Sequence, residues 1–188
     1  MTKLHLVFIL DRSGSMSGLE EDTIGGYNGF LEKYHHLPNT KVTTVLFDHA
    51  FKLLHDGQQI NHALLTKDNY EVRGATAMLD AVGHTIKYLK NKAPFYAERE
   101  RFIYIITTDG MENASKQYNY KDIHQLIHHE QELGNEFIFL GANIDTACEA
   151  NKLGIKKEFA QKYESDKEGT KKMYHQMNMM VSRLIEDE

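Results

Sequence analysis

Hydrophobic residues follow two rhythms along this chain. Leu4–Leu10 (LHLVFIL) and Arg101–Thr108 (RFIYIITT) are apolar almost without a break, which predicts strands covered on both faces. Lys41–Phe47, rich in Val and Thr, and Glu136–Leu140 predict two more strands. Phe51–His55 follows the short link Asp48-His49-Ala50 and reads as an antiparallel hairpin partner, and Phe159–Tyr163 reads as a last short strand. Between these runs the spacing becomes helical. Ile24, Tyr27, Leu31 and Tyr34 place a helix in Leu19–His36 despite Gly25, Gly26 and Gly29, which allow close packing on a sheet. Leu79, Val82, Ile86 and Leu89 place another after Gly74-Ala75-Thr76, ending before Pro94. Tyr120–Leu133 is closed by Gly134, and a further helix starts at Asp145. Lys167–Glu186 carries Met173, Met177, Met180, Val181, Leu184 and Ile185 on one stripe. Pro38-Asn39 marks a turn, and Asn61–Arg73 has no clear period.

Strands that alternate with helices and are apolar through both faces predict a mostly parallel sheet covered on each side. No repeat, linker or shift of composition divides the 188 residues, so a single α/β domain over 1–188 is expected. The net charge of −5, with both signs interspersed, supplies no basic stripe and disfavours a nucleic-acid partner. The single cysteine, Cys148, forbids an internal disulfide and fits a reducing compartment. The N-terminal apolar run is too short to span a membrane and lacks a small-residue cleavage site, so a soluble, cytoplasmic protein is expected.

Two of the fully apolar strands end in a carboxylate, Asp11 and Asp109. In an open parallel sheet, ligands bind beyond the carboxyl ends of the strands where the winding reverses. Two carboxylates converging there repel each other unless a cation lies between them or one takes a proton. Ser13 and Ser15 add hydroxyls from the loop after Asp11, and Thr76 adds another before a helix. Carboxylates and hydroxyls are hard oxygen donors that suit Mg²⁺ or Mn²⁺, and the lack of Cys or His in the set disfavours zinc. Capping of turns and helices is the alternative use of the same Ser and Asp residues.

Asp11-Arg12-Ser13-Gly14-Ser15 resembles the D-x-S-x-S signature of the von Willebrand factor type A domain. The remainder of that family's metal-ion-dependent adhesion site is matched by GATAMLDA at Thr76 and TTDGMEN at Asp109, so the resemblance spans about 4–155. It implies a three-layer, Rossmann-like fold whose mostly parallel central sheet has one antiparallel edge strand and helices on both faces. It implies further that Ser13, Ser15 and Thr76 offer hydroxyls to Mg²⁺ or Mn²⁺, with Asp11 and Asp109 acting through water or by holding the hydroxyls. A partner protein's Asp or Glu would then complete the coordination, as in a stand-alone bacterial intracellular binding module. The strand and amphipathic helix of 156–188 lie beyond the matched motif.

Other chemistries fit less well. A strand ending in Asp also opens phosphatases of the haloacid dehalogenase type, but these need a second Asp where this chain has Ser13, and no G-x-S-x-G elbow surrounds either serine. The expectation is a binding protein and not an enzyme, with a structural or assembly subunit as the alternative. His124, His128 and His129 read as a solvated helix face. Arg12, Met16, Met111, Tyr118 and Asn143 are expected beside the crevice as partner contacts, with Glu112 and Asn113 as supports for Asp109; helix and turn capping suits Asn113 equally well.

Overall fold

The structure, a computed structural model, describes residues 3–37, 39–92 and 100–186. Its strands are β1 (Lys3–Asp11), β2 (Lys41–Phe47), β3 (Phe51–Gln59), β4 (Glu100–Thr108), β5 (Glu136–Gly141) and β6 (Ala160–Lys162). Its helices are α1 (Glu20–Tyr34), α2 (Met78–Lys92), α3 (Tyr120–Glu132), α4 (Thr146–Leu153) and α5 (Lys167–Glu186). Pro38 and Pro94 themselves lie outside the described residues.

The sheet order is β3-β2-β1-β4-β5-β6, with every pair parallel except β2–β3. β1 therefore sits between β2 and β4, and the chain winds outward from it in one direction and then in the other. α1 packs against α5 on one face of the sheet, and α2, α3 and α4 form a row on the other. This is a three-layer α/β architecture. The strands read as apolar on both faces are buried on both: Leu6–Leu10 and Ile103–Ile106 lie in the core. Phe8 packs edge-on against Tyr27 and Phe30 of α1 at ring separations of 4.8 and 5.4 Å. Tyr104 and Phe137 stack across β4 and β5 at 4.4 Å.

β3 runs to Gln59, four residues beyond the strand expected from Phe51–His55. Its second half, DGQQ, has no strand propensity of its own; it is held by pairing of Gln58 with Val42 and of Gln59 with Lys41. The aperiodic stretch 61–73 is tied down by single side chains instead of by a repeating face. Asn28 bonds both the carbonyl and the N–H of Leu65 at 2.9 Å, and the Tyr27 hydroxyl donates to the Ala63 carbonyl at 2.9 Å. Among the described residues, no helix is long and apolar enough to cross a membrane.

Candidate metal centre

The parallel register of β1 and β4 pairs Leu10 with Thr107, which sets the end of β1 beside Thr108 and Asp109. The Thr108 hydroxyl donates to Asp11 Oδ2 at 2.7 Å, and the Ser13 amide donates to Asp11 Oδ1 at 2.7 Å. The Tyr70 hydroxyl donates to the Asp11 carbonyl at 2.7 Å. A single 3₁₀ turn, Gly14–Met16, then folds the loop so that the hydroxyls of Ser13 and Ser15 lie 3.0 Å apart. Ser15 also donates to Asp109 Oδ1, closing the loop onto β4.

Thr76 reaches this group through a clasp between the start of α2 and the loop after β4. Asn113 accepts from the Thr76 N–H and donates its own N–H to the Thr76 carbonyl, both at 3.0 Å. Glu112 accepts from the Leu79 N–H at 2.9 Å and Ser115 from the Asp80 N–H at 3.0 Å, so the loop caps α2. Asp80 answers by accepting the N–H groups of Lys116, Gln117 and Tyr118 at 2.8–3.0 Å. Glu112 thus supports α2 and not Asp109, and Asn113 takes the capping role that was the alternative to supporting Asp109. A methyl built on Gly110 would meet only Ser15 Oγ at 3.5 Å and Thr76 Oγ1 at 3.6 Å, so an open space faces both hydroxyls.

A second clasp holds the loop ahead of Thr76. Asp48 takes Arg12 Nη2 and Arg73 Nε on one oxygen, both at 3.0 Å, and the Ala50 amide on the other at 2.7 Å. Burial alone would raise the Asp48 carboxyl, but these hydrogen bonds and the charges of Arg12 and His49 outweigh it and hold the carboxyl below its ordinary value. Gly14 N–H bonds the Gly74 carbonyl at 3.0 Å, and Gly74 stands at φ +73° under the His49 ring, a place open only to glycine.

Asp11 and Asp109 are 0% and 1% exposed, and no ion pair among the described residues includes either. Arg12, the nearest cation in sequence, is spent on Asp48. Burial pushes the Asp11 carboxyl up to about 6; hydrogen bonds from Ser13 and Thr108 oppose the rise and the charge of Asp109 adds to it. Two uncompensated carboxylates, three hydroxyls and an open space in front of Gly110 make a donor set that fits a hard divalent cation. Among the described residues no three His, Cys, Asp or Glu side chains converge as ligands. His128 and His129 lie instead beside Glu132 on the outer face of α3.

The residues expected at the rim divide. Met111 is 73% exposed next to Asp109, and Asn143 Nδ2 donates to the Asp109 carbonyl at 3.2 Å. Arg12 and Met16 are only 3% and 4% exposed, because the loop folds them inward, and they offer a partner almost no surface. Tyr118 is drawn away by its amide bond to Asp80, and its ring lies over Gly83 and edge-on to His84, two turns along α2. Sequence reading missed Thr108, Asp48, Arg73 and Ser165, the last of which donates to Asp109 Oδ2 at 3.1 Å.

No protein-family model matches this chain, and no curated protein matches it. Solved structures do. The PilB minor pilin from Streptococcus sanguinis superposes with a TM-score of 0.66 at 12% identity, over 96% of this chain and 61% of the pilin. The manganese-loaded TRAP protein of Plasmodium vivax gives a TM-score of 0.66 at 18% identity, over 91% and 71% of the two chains. Proximal thread matrix protein 1 from the mussel byssus, with a zinc-occupied MIDAS motif, gives 0.67 at 16%, over 96% and 46%. The fold is that of a von Willebrand factor type A domain. At these identities the likeness is one of fold. The type A fold here spans about six-tenths of the pilin's length.

Proposed function

We propose that this chain is a metal-dependent protein-binding module. Ser13, Ser15 and Thr76 hold Mg²⁺ or Mn²⁺, and Asp11 and Asp109 act on it through those hydroxyls or through water. The observation that carries the reading is the pair of buried, unpaired carboxylates facing three hydroxyls in one crevice. Buried charge without a counter-charge is costly, and a divalent cation removes that cost. When bound, the metal supplies a Lewis-acidic position that a partner's Asp or Glu carboxylate can occupy. Met111, exposed beside Asp109, provides apolar contact for the residue next to that carboxylate. Manganese in the Plasmodium structure and zinc in the mussel structure support a divalent cation, and the all-oxygen donor set favours Mg²⁺ or Mn²⁺.

On this reading the chain binds and does not catalyse. Asp11 stands where a phosphoryl-accepting carboxylate would stand, but Ser13 N–H and the Thr108 hydroxyl engage both of its oxygens. The free, exposed thiol of Cys148 suits a reducing compartment, and we place the protein in the cytoplasm. The test is calorimetric titration of metal-stripped protein with Mg²⁺, Mn²⁺ and Zn²⁺, on the wild type and on Asp109→Ala. One site that disappears in the variant supports the centre, and no uptake of any of the three sinks it. Capture from a peptide array then tests the partner chemistry: binding must need the metal and must be lost when the captured peptide's Asp or Glu becomes Asn or Gln.

A further inference from the structure

We infer that Ser165 is a further member of this centre, a positioning residue that holds the Asp109 carboxylate in the orientation the cation requires; the inference rests on the metal-binding reading above. After β6 the chain crosses the carboxyl end of the sheet toward β4. Two anchors fix its path. Tyr163 donates its amide to the Gly141 carbonyl at 3.0 Å and its phenol to the Thr108 carbonyl at 3.3 Å, one residue before Asp109. Asp166 accepts the Gly169 amide on its carboxylate at 2.7 Å and the Thr170 amide on its carbonyl at 2.8 Å, which starts α5.

Ser165 lies between these anchors, and its hydroxyl donates to Asp109 Oδ2 at 3.1 Å while Ser15 donates to Oδ1. The two oxygens of one carboxylate are thus gripped by hydroxyls from opposite ends of the sequence. The terminal torsion of an aspartate is broad and roughly two-fold, so a single grip leaves the carboxylate free to turn about its axis. The second grip fixes which oxygen faces Ser15 before any cation arrives, and less ordering remains for the binding step. Capping of α5 is not the purpose of Ser165, because Asp166 already supplies it. Hydrogen-bond partners behind a ligand typically alter metal affinity by about 10–100-fold.

The experiment is titration with Mn²⁺ alone, followed by electron paramagnetic resonance and calorimetry, on the wild type, Ser165→Ala and Ser165→Thr. Melting of each protein in chelator reports the fold independently of the metal. Ser165→Ala is expected to weaken Mn²⁺ binding about tenfold and to broaden the bound-Mn²⁺ spectrum, with an unchanged melt in chelator, and Ser165→Thr is expected to restore both. Wild-type Mn²⁺ affinity in Ser165→Ala overturns the inference and leaves the metal-binding reading standing. A lower melt in chelator with unchanged affinity assigns Ser165 a structural role only, and also overturns it. A wild type that takes up no Mn²⁺ overturns both.

Discussion

Asp11 is held between a backbone amide and a threonine hydroxyl, and burial lifts its carboxyl from the ordinary 3.8 to about 6. The folded state therefore keeps this proton more tightly than the unfolded chain does. Protonation contributes stability that is complete below about 3.8 and is lost as the pH rises through about 6. A shift of about two units corresponds to on the order of 3 kcal/mol. In chelator, the wild type is expected to gain stability relative to Asp11→Asn as the pH is lowered from neutral through 6, because Asn mimics the neutral acid at every pH. With Mn²⁺ present the direction reverses, since the proton and the cation compete for the same charge, and apparent affinity falls below about pH 6. Urea unfolding of both proteins across this range, with and without Mn²⁺, checks both signs; parallel curves in chelator would refute the Asp11 account. Asp11 and Asp109 stand out in sequence because each follows an apolar strand, and Ser13, Ser15 and Thr76 because their hydroxyls flank helix starts in a matching motif. Thr108 and Ser165 do not. The first acquires a role only from the β1–β4 register, and the second only from where the chain crosses after β6.

Helices and strands show the same division between what a local pattern specifies and what packing specifies. Continuous apolar runs, short and rich in β-branched and aromatic residues, identified β1 and β4 as strands buried on both faces. The polar second half of β3 escaped, since its pairing with β2 supplies what its own residues lack. The glycines of α1 were read as a means of close approach to the sheet, yet Gly26 serves helix-to-helix contact. Its missing side chain is filled by the ring of Tyr174 from α5, whose carbons would lie 2.1–2.7 Å from an added Cβ. Nearby, Tyr34 bonds the Asn178 carbonyl and Ser182, both at 2.9 Å, so α5 is fitted to α1 along several turns. Gly26→Ala is accordingly expected to cost about 1–3 kcal/mol by overpacking, despite the better helix propensity of alanine. Chemical denaturation in chelator measures this. The variant's Mn²⁺ affinity should stay at the wild-type value, and a stability gain would show that α5 does not pack where the contact places it.

At the scale of the whole molecule, the position of the centre follows from topology. β1 is flanked by β2 and β4, and the winding reverses there, so the loops after β1 and β4 diverge to opposite faces and leave a crevice between them. Alternating strand and helix signals predict the parallel sheet but not its order; that β1 and β4 are neighbours, which brings Asp11 and Asp109 together, is seen only in the folded sheet. The clasps through Asp48 and Asn113 are not legible either, because each joins residues that only the folded sheet brings together. The same closure ties metal uptake to global stability, since the loops carrying Ser15, Thr76 and Asp109 are adjacent only in the native state. A cation at about 100 times its dissociation constant adds about 2.7 kcal/mol. For a domain of this length, that is roughly 5–10 °C in the melting temperature. Metal-stripped protein is therefore expected to melt higher by this amount in saturating Mn²⁺ or Mg²⁺ and to return on chelation. Gly110→Ala provides the decisive control. Its methyl meets only the hydroxyls of Ser15 and Thr76, at ordinary van der Waals distance, so the chelated protein should melt as the wild type does. With that methyl in the space the two hydroxyls face, the rise on adding metal should shrink or vanish. A full rise in Gly110→Ala would place the cation elsewhere on the molecule, and no rise in the wild type would refute the metal centre.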